Sequence, residues 1–105
     1  MRLWSQESDA NLDRGIVLKI CNLAKGLDMN KVVLFGSRAT KMNGERSDID
    51  LMISEKNASV KAAFINGLED INTLLIFDVV NEKSYNFSHA LEQEIKRDGV
   101  ILYEK

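Results

Sequence analysis

The sequence predicts an α/β sandwich in which helices alternate with the strands of one small sheet. Two observations carry this prediction. Three segments repeat apolar residues at steps of three and four, and short apolar or alternating runs lie between and after them. The chain has 105 residues, the size of one small domain. We therefore expect residues 1–105 to form a single domain with the order α-β-α-β-α-β-α-β.

The composition argues against several functional classes. The net charge is −2, from 14 basic and 16 acidic residues, whereas proteins that bind nucleic acid mainly by charge carry a basic excess, so no direct nucleic-acid partner is expected. No apolar run approaches the roughly 18 residues that span a bilayer, and the start lacks the apolar core of a secretory signal. The single cysteine, Cys21, excludes an intrachain disulfide and fits a reducing cytoplasm. We expect a cytoplasmic protein without a membrane partner.

The first predicted helix covers residues 9–25. Its inner face is apolar at Leu12, Ile16, Ile20, Leu23 and Leu27. Ser8 or Asp9 can cap its start, and Gly26 is placed to end it. The run "KVVLF" at residues 31–35 follows, and its β-branched composition is typical of a strand covered on both faces.

The next segment runs from a break to a second strand. Gly36 and Ser37 interrupt the first strand, and Ser37 can cap a short helix to about residue 42. A turn at Asn43-Gly44 leads into "SDIDLMIS" at residues 47–54, whose alternation is typical of a strand. We expect the two strands to run parallel, because only a short helix and a turn separate them.

The second half of the chain repeats this alternation. A helix is predicted over residues 58–70, with Val60, Ala63, Phe64 and Leu68 on its inner face. A third strand is predicted over residues 73–80. A last helix over residues 84–97 buries Phe87, Leu91 and Ile95. Gly99 ends it, and "VILYE" at residues 100–104 predicts a terminal strand.

The Gly-Ser turn is a candidate phosphate site. A glycine lets backbone approach a ligand closely because it has no Cβ, and a following helix start offers free N–H groups and a positive dipole end. Ser37 adds a hydroxyl donor beside Gly36. The alternative is an ordinary strand break with a helix cap.

Asp48 and Asp50 are candidate metal ligands. Carboxylates at i and i+2 on a strand share one face roughly 7 Å apart, and repel by about 2 kcal/mol at an effective dielectric near 20. A divalent cation reverses that repulsion, and Mg²⁺ binds one or two carboxylates together with water and substrate phosphates. The alternative is a solvated strand edge. The apolar opposite face, at Ile49, Leu51 and Ile53, indicates a strand packed on a core and favours the metal site.

Asp78 is the third candidate carboxylate. It stands between Phe77 and Val79 in the most apolar predicted strand, where burying an unpaired charge is costly. If the strands pair, Asp78 lies beside Asp50. Clustered carboxylates repel unless cations neutralise them, and two Mg²⁺ ions are the known solution for nucleotidyl transfer. The alternative is an exposed position at the sheet edge.

The spacing of these residues resembles a known pattern. Gly36-Ser37, ten intervening residues and Asp48-Ile49-Asp50 match the G-S-x10-D-x-D motif of the polymerase-beta-like nucleotidyltransferase superfamily. In its length and its ending the chain resembles the minimal nucleotidyltransferases, the small antitoxin-type members. The resemblance covers nearly the whole chain, and implies the nucleotidyltransferase core, a small mixed sheet packed against helices.

The resemblance also implies a role for each motif residue. Gly36 and Ser37 would hold the triphosphate of ATP. Asp48 and Asp50 would bind two Mg²⁺ ions. Asp78 would bind the catalytic metal and help to deprotonate the attacking hydroxyl.

The chain departs from many relatives directly after the turn. They continue as G-S-R-A-R-G, whereas this chain reads "GSRATK", so Thr40 and Lys41 replace an arginine and a glycine. Lys41 or Arg46 can restore the missing charge. Arg38, which follows Ser37, is a further candidate for binding the nucleotide through a phosphate contact, and a solvated arginine is the alternative.

The function implied by the resemblance is Mg²⁺-dependent transfer of AMP from ATP to a hydroxyl, with release of pyrophosphate. Relatives of this kind are typically encoded beside a helical HEPN-domain protein, a toxin-like ribonuclease, and the better-studied ones adenylylate a tyrosine of it. We therefore expect an antitoxin that modifies such a partner and that forms a homodimer or hetero-oligomer. The partner would bring the acceptor, because the chain is only a nucleotidyltransferase core.

Two other functions remain open at this stage. The fold can act as a binding module that neutralises its partner by contact alone. The altered segment "ATK" at residues 39–41 keeps this hypothesis open, because it departs from the pattern of relatives beside the predicted phosphate site. Transfer to a small molecule such as an aminoglycoside is a weaker hypothesis, because enzymes of that kind usually add a substrate-binding domain. RNA tailing is weaker still, given the acidic balance. The sequence does not choose the base or the oligomeric state.

Overall fold

The computed structural model describes residues 1–6, 9–44, 47–71 and 73–105. Its elements are β1 (Arg2–Leu3), α1 (Arg14–Gly26), β2 (Lys31–Phe35), α2 (Ser37–Thr40), β3 (Ile49–Ile53), α3 (Ala58–Glu69), β4 (Phe77–Asn81), α4 (His89–Asp98) and β5 (Val100–Glu104). From α1 onward this order is the alternation that the sequence predicts. The short strand β1 is an addition, and it pairs in parallel with β5.

The five strands form one mixed sheet in the order β1-β5-β2-β3-β4. β3 and β4 are parallel, whereas β2 is antiparallel to both β3 and β5. The mixed sheet with helices against it confirms the predicted fold class. The expectation that β2 and β3 run parallel is wrong. α2 has only four residues, about 6 Å of helix, and cannot carry the chain back along a strand of about 17 Å.

The helices divide between the two faces of the sheet. α1 and α3 cover one face over a core that includes Ile20, Leu34, Leu51, Phe64 and Leu68. α4 covers the other face over a smaller cluster that includes Val33, Phe35, Met52 and Ile95. The alternation predicted for β3 is confirmed, since Ile49, Leu51 and Ile53 are fully buried in the larger core. Asp50 alternates with them and therefore lies on the α4 face.

Helix α1 begins later than the sequence predicts. Its cap is Asp13, whose carboxylate accepts the Ile16 N–H at 3.3 Å. Asp9 instead closes a preceding turn by accepting the N–H groups of Ser5 and Gln6, and these bonds lower the pKa of Asp9. Ser8, the other predicted cap, lies outside the described residues. Gly26 is the last residue of the helix and not the stop after it.

Two later boundaries also differ from the prediction. α4 begins at His89, with Ser88 accepting the Leu91 N–H at 3.1 Å, because residues 82–87 are held in turns by the Asn81 and Ser84 carbonyls. β4 begins at Phe77, four residues later than expected. The predicted end of α4 at Gly99 and the terminal strand are confirmed.

Helix length bears on membrane insertion. The longest of the described helices, α1, has 13 residues. Within the part of the chain that the structure describes, no helix is long and apolar enough to cross a bilayer.

Candidate active site

The end of β2 forms a turn that only glycine fits. Gly36 has φ 74° and ψ −156°, a backbone conformation that is essentially restricted to glycine. A Cβ added there would collide with Oδ2 of Asp50 and would lie 3.3 Å from its Cγ. The backbone of the Gly-Ser turn is therefore pressed directly against the Asp50 carboxylate.

Strand pairing brings a second carboxylate beside Asp50. Asp50 and Asp78 are register partners in the parallel pair of β3 and β4, where neighbouring strands lie about 4.8 Å apart. The expected proximity of these two residues is confirmed. Asp78 is exposed because β4 is the edge strand, which was the alternative environment for this residue, whereas Asp50 is half-buried.

Asp48 is placed differently from the expectation of two strand residues on one face. β3 begins at Ile49, so Asp48 is exposed in the segment that leads into the strand. It is nevertheless close enough for its charge to act on Asp50. The prediction that Asp48 binds a metal ion stays a prediction.

Three neighbouring carboxylates act on Asp50. Burial raises the pKa of Asp50 above its ordinary value, and the neighbouring carboxylates of Asp78, Asp48 and Glu94 raise it further. A raised carboxyl pKa means that the folded chain disfavours the ionised form. A cation bound at this point would remove that penalty.

The donor set fits Mg²⁺ in one specific way. Among the described residues, no three His, Cys, Asp or Glu side chains converge closely enough to hold a metal ion by themselves. Mg²⁺ does not need such a cage, because it binds one or two carboxylates and completes its shell with water and substrate phosphates. The register pair of Asp50 and Asp78 supplies two hard oxygen donors of that kind.

Glu94 is a site carboxylate that the sequence prediction omitted. It is half-buried on α4, and with Gly36, Ser37 and Arg97 it lines a cleft of about 250 Å³ between the Gly-Ser turn and the end of α4. A signal for it existed. Glu94 follows Leu91 by three residues in the last helix, a spacing that places both on the same helix face.

The structure places Arg38 in the interior, and its predicted phosphate contact stays a prediction. The residue is 7% exposed, so it is not the solvated arginine of the alternative. Its Nε and Nη2 donate to the Ser47 carbonyl oxygen at 3.1 and 3.0 Å, and its Nη1 donates to the Asn11 carbonyl oxygen at 2.8 Å.

The altered "ATK" segment closes the short helix α2. Lys41 is the C-cap residue, exposed and in the left-handed conformation with φ 63°. The Thr40 hydroxyl donates back to the Ser37 carbonyl at 3.2 Å. Arg46, the other predicted source of charge, lies outside the described residues. Because α2 is a single turn, its dipole is far smaller than that of a full helix, and phosphate binding by Gly36 and Ser37 stays a prediction.

Comparison with known families agrees with this geometry. A family model described as "Polymerase beta, Nucleotidyltransferase" matches residues 18–105. The chain belongs to this nucleotidyltransferase family. None of the curated proteins matches it.

Solved structures with the same fold include a toxin-antitoxin complex with AMP-PNP. The nucleotidyltransferase superposes on it with a TM-score of 0.61 at 20% identity, over 85% of this chain and 73% of that one. A candidate nucleotidyltransferase from Sulfolobus solfataricus gives a TM-score of 0.41 at 20% identity, over 87% and 86% of the two chains. The likeness to the toxin-antitoxin structure shows that the two chains share a fold.

Proposed function

We propose that this nucleotidyltransferase moves AMP from ATP to a tyrosine hydroxyl of a helical HEPN-type partner, with Mg²⁺, as the antitoxin of a cytoplasmic toxin-antitoxin pair. The observation that carries the transferase activity is the register pairing of Asp78 with Asp50, whose carboxylate lies against the Gly36 backbone. The partner and its tyrosine follow from the resemblance to the minimal nucleotidyltransferases. The neighbour described as a toxin-antitoxin with AMP-PNP supports both the nucleotide and the presence of a partner.

The proposal gives each part of the site one task. Asp50 and Asp78, with Asp48 just before β3, would hold Mg²⁺, which would supply positive charge to neutralise the phosphates. Gly36 and Ser37 receive the outer phosphates, with the Ser37 hydroxyl as a donor beside the Asp50 carboxylate that the turn contacts. Most of the rate enhancement in this scheme comes from positioning and fixed charge.

The proposed reaction is a displacement at the α-phosphorus of ATP. The acceptor oxygen forms a bond to the α-phosphorus of ATP, and the bond from that phosphorus to the bridging oxygen of pyrophosphate breaks. The hydroxyl proton passes to the Asp78 carboxylate, which is exposed at the sheet edge and can release it to water. A partner can present its tyrosine at this edge, because β4 is an outer strand of the sheet that the described residues form.

The experiment that tests this function uses two labels. The chain and a HEPN-type protein of the kind proposed as its partner are mixed with Mg²⁺ and with ATP labelled at either the α- or the γ-phosphate. We expect the α-label to appear on the partner and the γ-label to leave as pyrophosphate. Replacing the acceptor tyrosine of the partner by phenylalanine should abolish the labelling.

The same assay separates transfer from neutralisation by contact. Asp48→Asn with Asp50→Asn removes two carboxylates and should abolish both the labelling and the neutralisation of the partner. Neutralisation that survives this change with unaltered affinity would mean that contact alone is the mechanism. Transfer of the γ-label would contradict nucleotidyl transfer altogether.

A further inference from the structure

Arg38 joins three segments that meet beside the carboxylates. It belongs to α2, directly after the Gly-Ser turn. Its guanidinium donates forward to the Ser47 carbonyl and backward to the Asn11 carbonyl. The backbone N–H of Asn11 in turn donates to the Arg38 carbonyl oxygen at 2.9 Å. The contact with Asn11 is therefore made in both directions.

Burial makes these bonds costly to lose. A buried guanidinium must be hydrogen-bonded, because taking a charge out of water is expensive. Arginine offers five N–H donors in a rigid planar fork, so one side chain can bind carbonyl groups of two separate segments. A lysine at this position would keep the charge but would lose the fork.

The Ser47 carbonyl that Arg38 binds lies directly before the carboxylate strand. Ser47 immediately precedes Asp48, and β3 with Asp50 begins directly afterwards. Arg38 stands two residues after Gly36, whose backbone presses against the Asp50 carboxylate. The guanidinium thus spans the gap between the two halves of the motif, from the Gly-Ser turn to the start of the carboxylate strand.

We propose that Arg38 is a positioning residue for the cation site. It fixes the lead-in to β3, and with it Asp48 and Asp50, relative to the Gly-Ser turn. Its loss should therefore weaken cation binding while leaving the binding of a nucleotide without metal nearly unchanged. This inference rests on the proposed function, since it takes the carboxylates to be a cation site.

Cation affinity tests this role without any activity measurement. Mn²⁺ binding is followed by the electron paramagnetic resonance signal of the free ion, and ATP binding is measured by calorimetry in EDTA. For Arg38→Gln we expect the Kd for Mn²⁺ to rise about tenfold or more, the range seen when groups that orient metal ligands are removed. The Kd for ATP in EDTA should stay within about twofold. Arg38→Lys should fall between Arg38→Gln and the wild type.

Arg2→Gln is the matched control. The Arg2 guanidinium also donates to a carbonyl of α2, that of Ala39 at 3.2 Å, and this bond does not involve the segment that leads into β3. This variant should bind Mn²⁺ as the wild type does. Equal Mn²⁺ affinity in Arg38→Gln, Arg2→Gln and the wild type would overturn the proposal. A loss of ATP affinity in EDTA with Mn²⁺ affinity intact would overturn it too, because Arg38 would then be a phosphate ligand.

Hydrogen exchange and Mn²⁺ binding of the wild-type protein provide two further tests. If neither Arg38 variant folds, hydrogen exchange of the wild type replaces them: cation addition should slow exchange over residues 9–13 as well as 47–52, and protection confined to 47–52 would contradict the coupling. A wild type that binds no Mn²⁺ at any concentration would overturn the proposed function together with this inference, whereas a wild type that binds it and variants that match it would overturn the inference alone.

Discussion

Asp50→Asn is expected to abolish nucleotidyl transfer and, without metal, to stabilise the fold. The rate should fall about 10²–10³-fold or more, the range for removing one group that stabilises developing charge. In the folded chain, burial and the negative charges of three neighbouring carboxylates disfavour the ionised form of Asp50. Removing it should relieve about 1 kcal/mol after solvent screening, which raises the Tm by about 4–8 °C for a chain of this size. Scanning calorimetry in EDTA at pH 7 measures this shift.

The effect of Mg²⁺ on the Tm should also differ between the wild type and Asp50→Asn. The cation should raise the Tm of the wild type and should leave the Tm of Asp50→Asn unchanged. Asp70→Asn is the control, because Asp70 is an exposed carboxyl at the end of α3 that is not among the charges acting on Asp50, and its Tm should respond to Mg²⁺ as that of the wild type does. An Asp50→Asn protein that is less stable than the wild type in EDTA, and that Mg²⁺ still stabilises, would show that the cation binds elsewhere.

Gly36→Ala is expected to have the largest effect on stability. Alanine must either leave the conformation with φ 74° or accept a strain of about 1–3 kcal/mol, and its Cβ also collides with the Asp50 carboxylate. We expect a loss of roughly 2–4 kcal/mol in the free energy of unfolding, measured by urea denaturation, because overpacking adds to the strain. Transfer should fall with it, since the turn and the carboxylate are displaced together.

A double-mutant cycle separates the two causes. Asp50→Ala removes the carboxylate group that the new Cβ would meet, so Gly36→Ala should cost less in that background, and the remainder measures backbone strain. Gly26→Ala is the control, because it lies in a helix with nothing within 4 Å of the added Cβ and should be neutral or stabilising. If Gly36→Ala proved as stable as Gly26→Ala, the close approach of turn and carboxylate would be refuted.

Much of the fold could be predicted because periodicity reports burial directly. The alternation of β3 follows from which side chains must leave water. The predicted stripe of α1 also packs on the core, but the helix buries Val17 and Ala24, which the stripe omitted, more deeply than Ile16, Leu23 and Leu27. The start of α4 could not be predicted in the same way. Ser84 and Ser88 are both suitable caps, and the choice depends on turns closed by backbone carbonyls of residues 81 and 84, which no pattern records.

The site was predictable where spacing alone decides it. Carboxylates on two predicted strands led to the expected pairing of Asp50 with Asp78, which β3 and β4 provide. The direction of β3 relative to β2 depends on the length of α2. The predicted helix, which ran to about residue 42, is longer than the observed one, which ends at Thr40. The burial of Arg38 depends on two distant carbonyl groups, so the sequence offers no signal for it.

The central claim is that Asp50 and Asp78 hold a divalent cation beside the Gly-Ser turn. A crystal structure with Mn²⁺ and an ATP analogue whose α–β bridge cannot be cleaved tests it most directly. The account predicts an anomalous Mn²⁺ peak between the Asp50 and Asp78 carboxylates, with the outer phosphates against the backbone of Gly36 and Ser37. A bound nucleotide whose Mn²⁺ and phosphates lie away from both carboxylates and from the turn would contradict it.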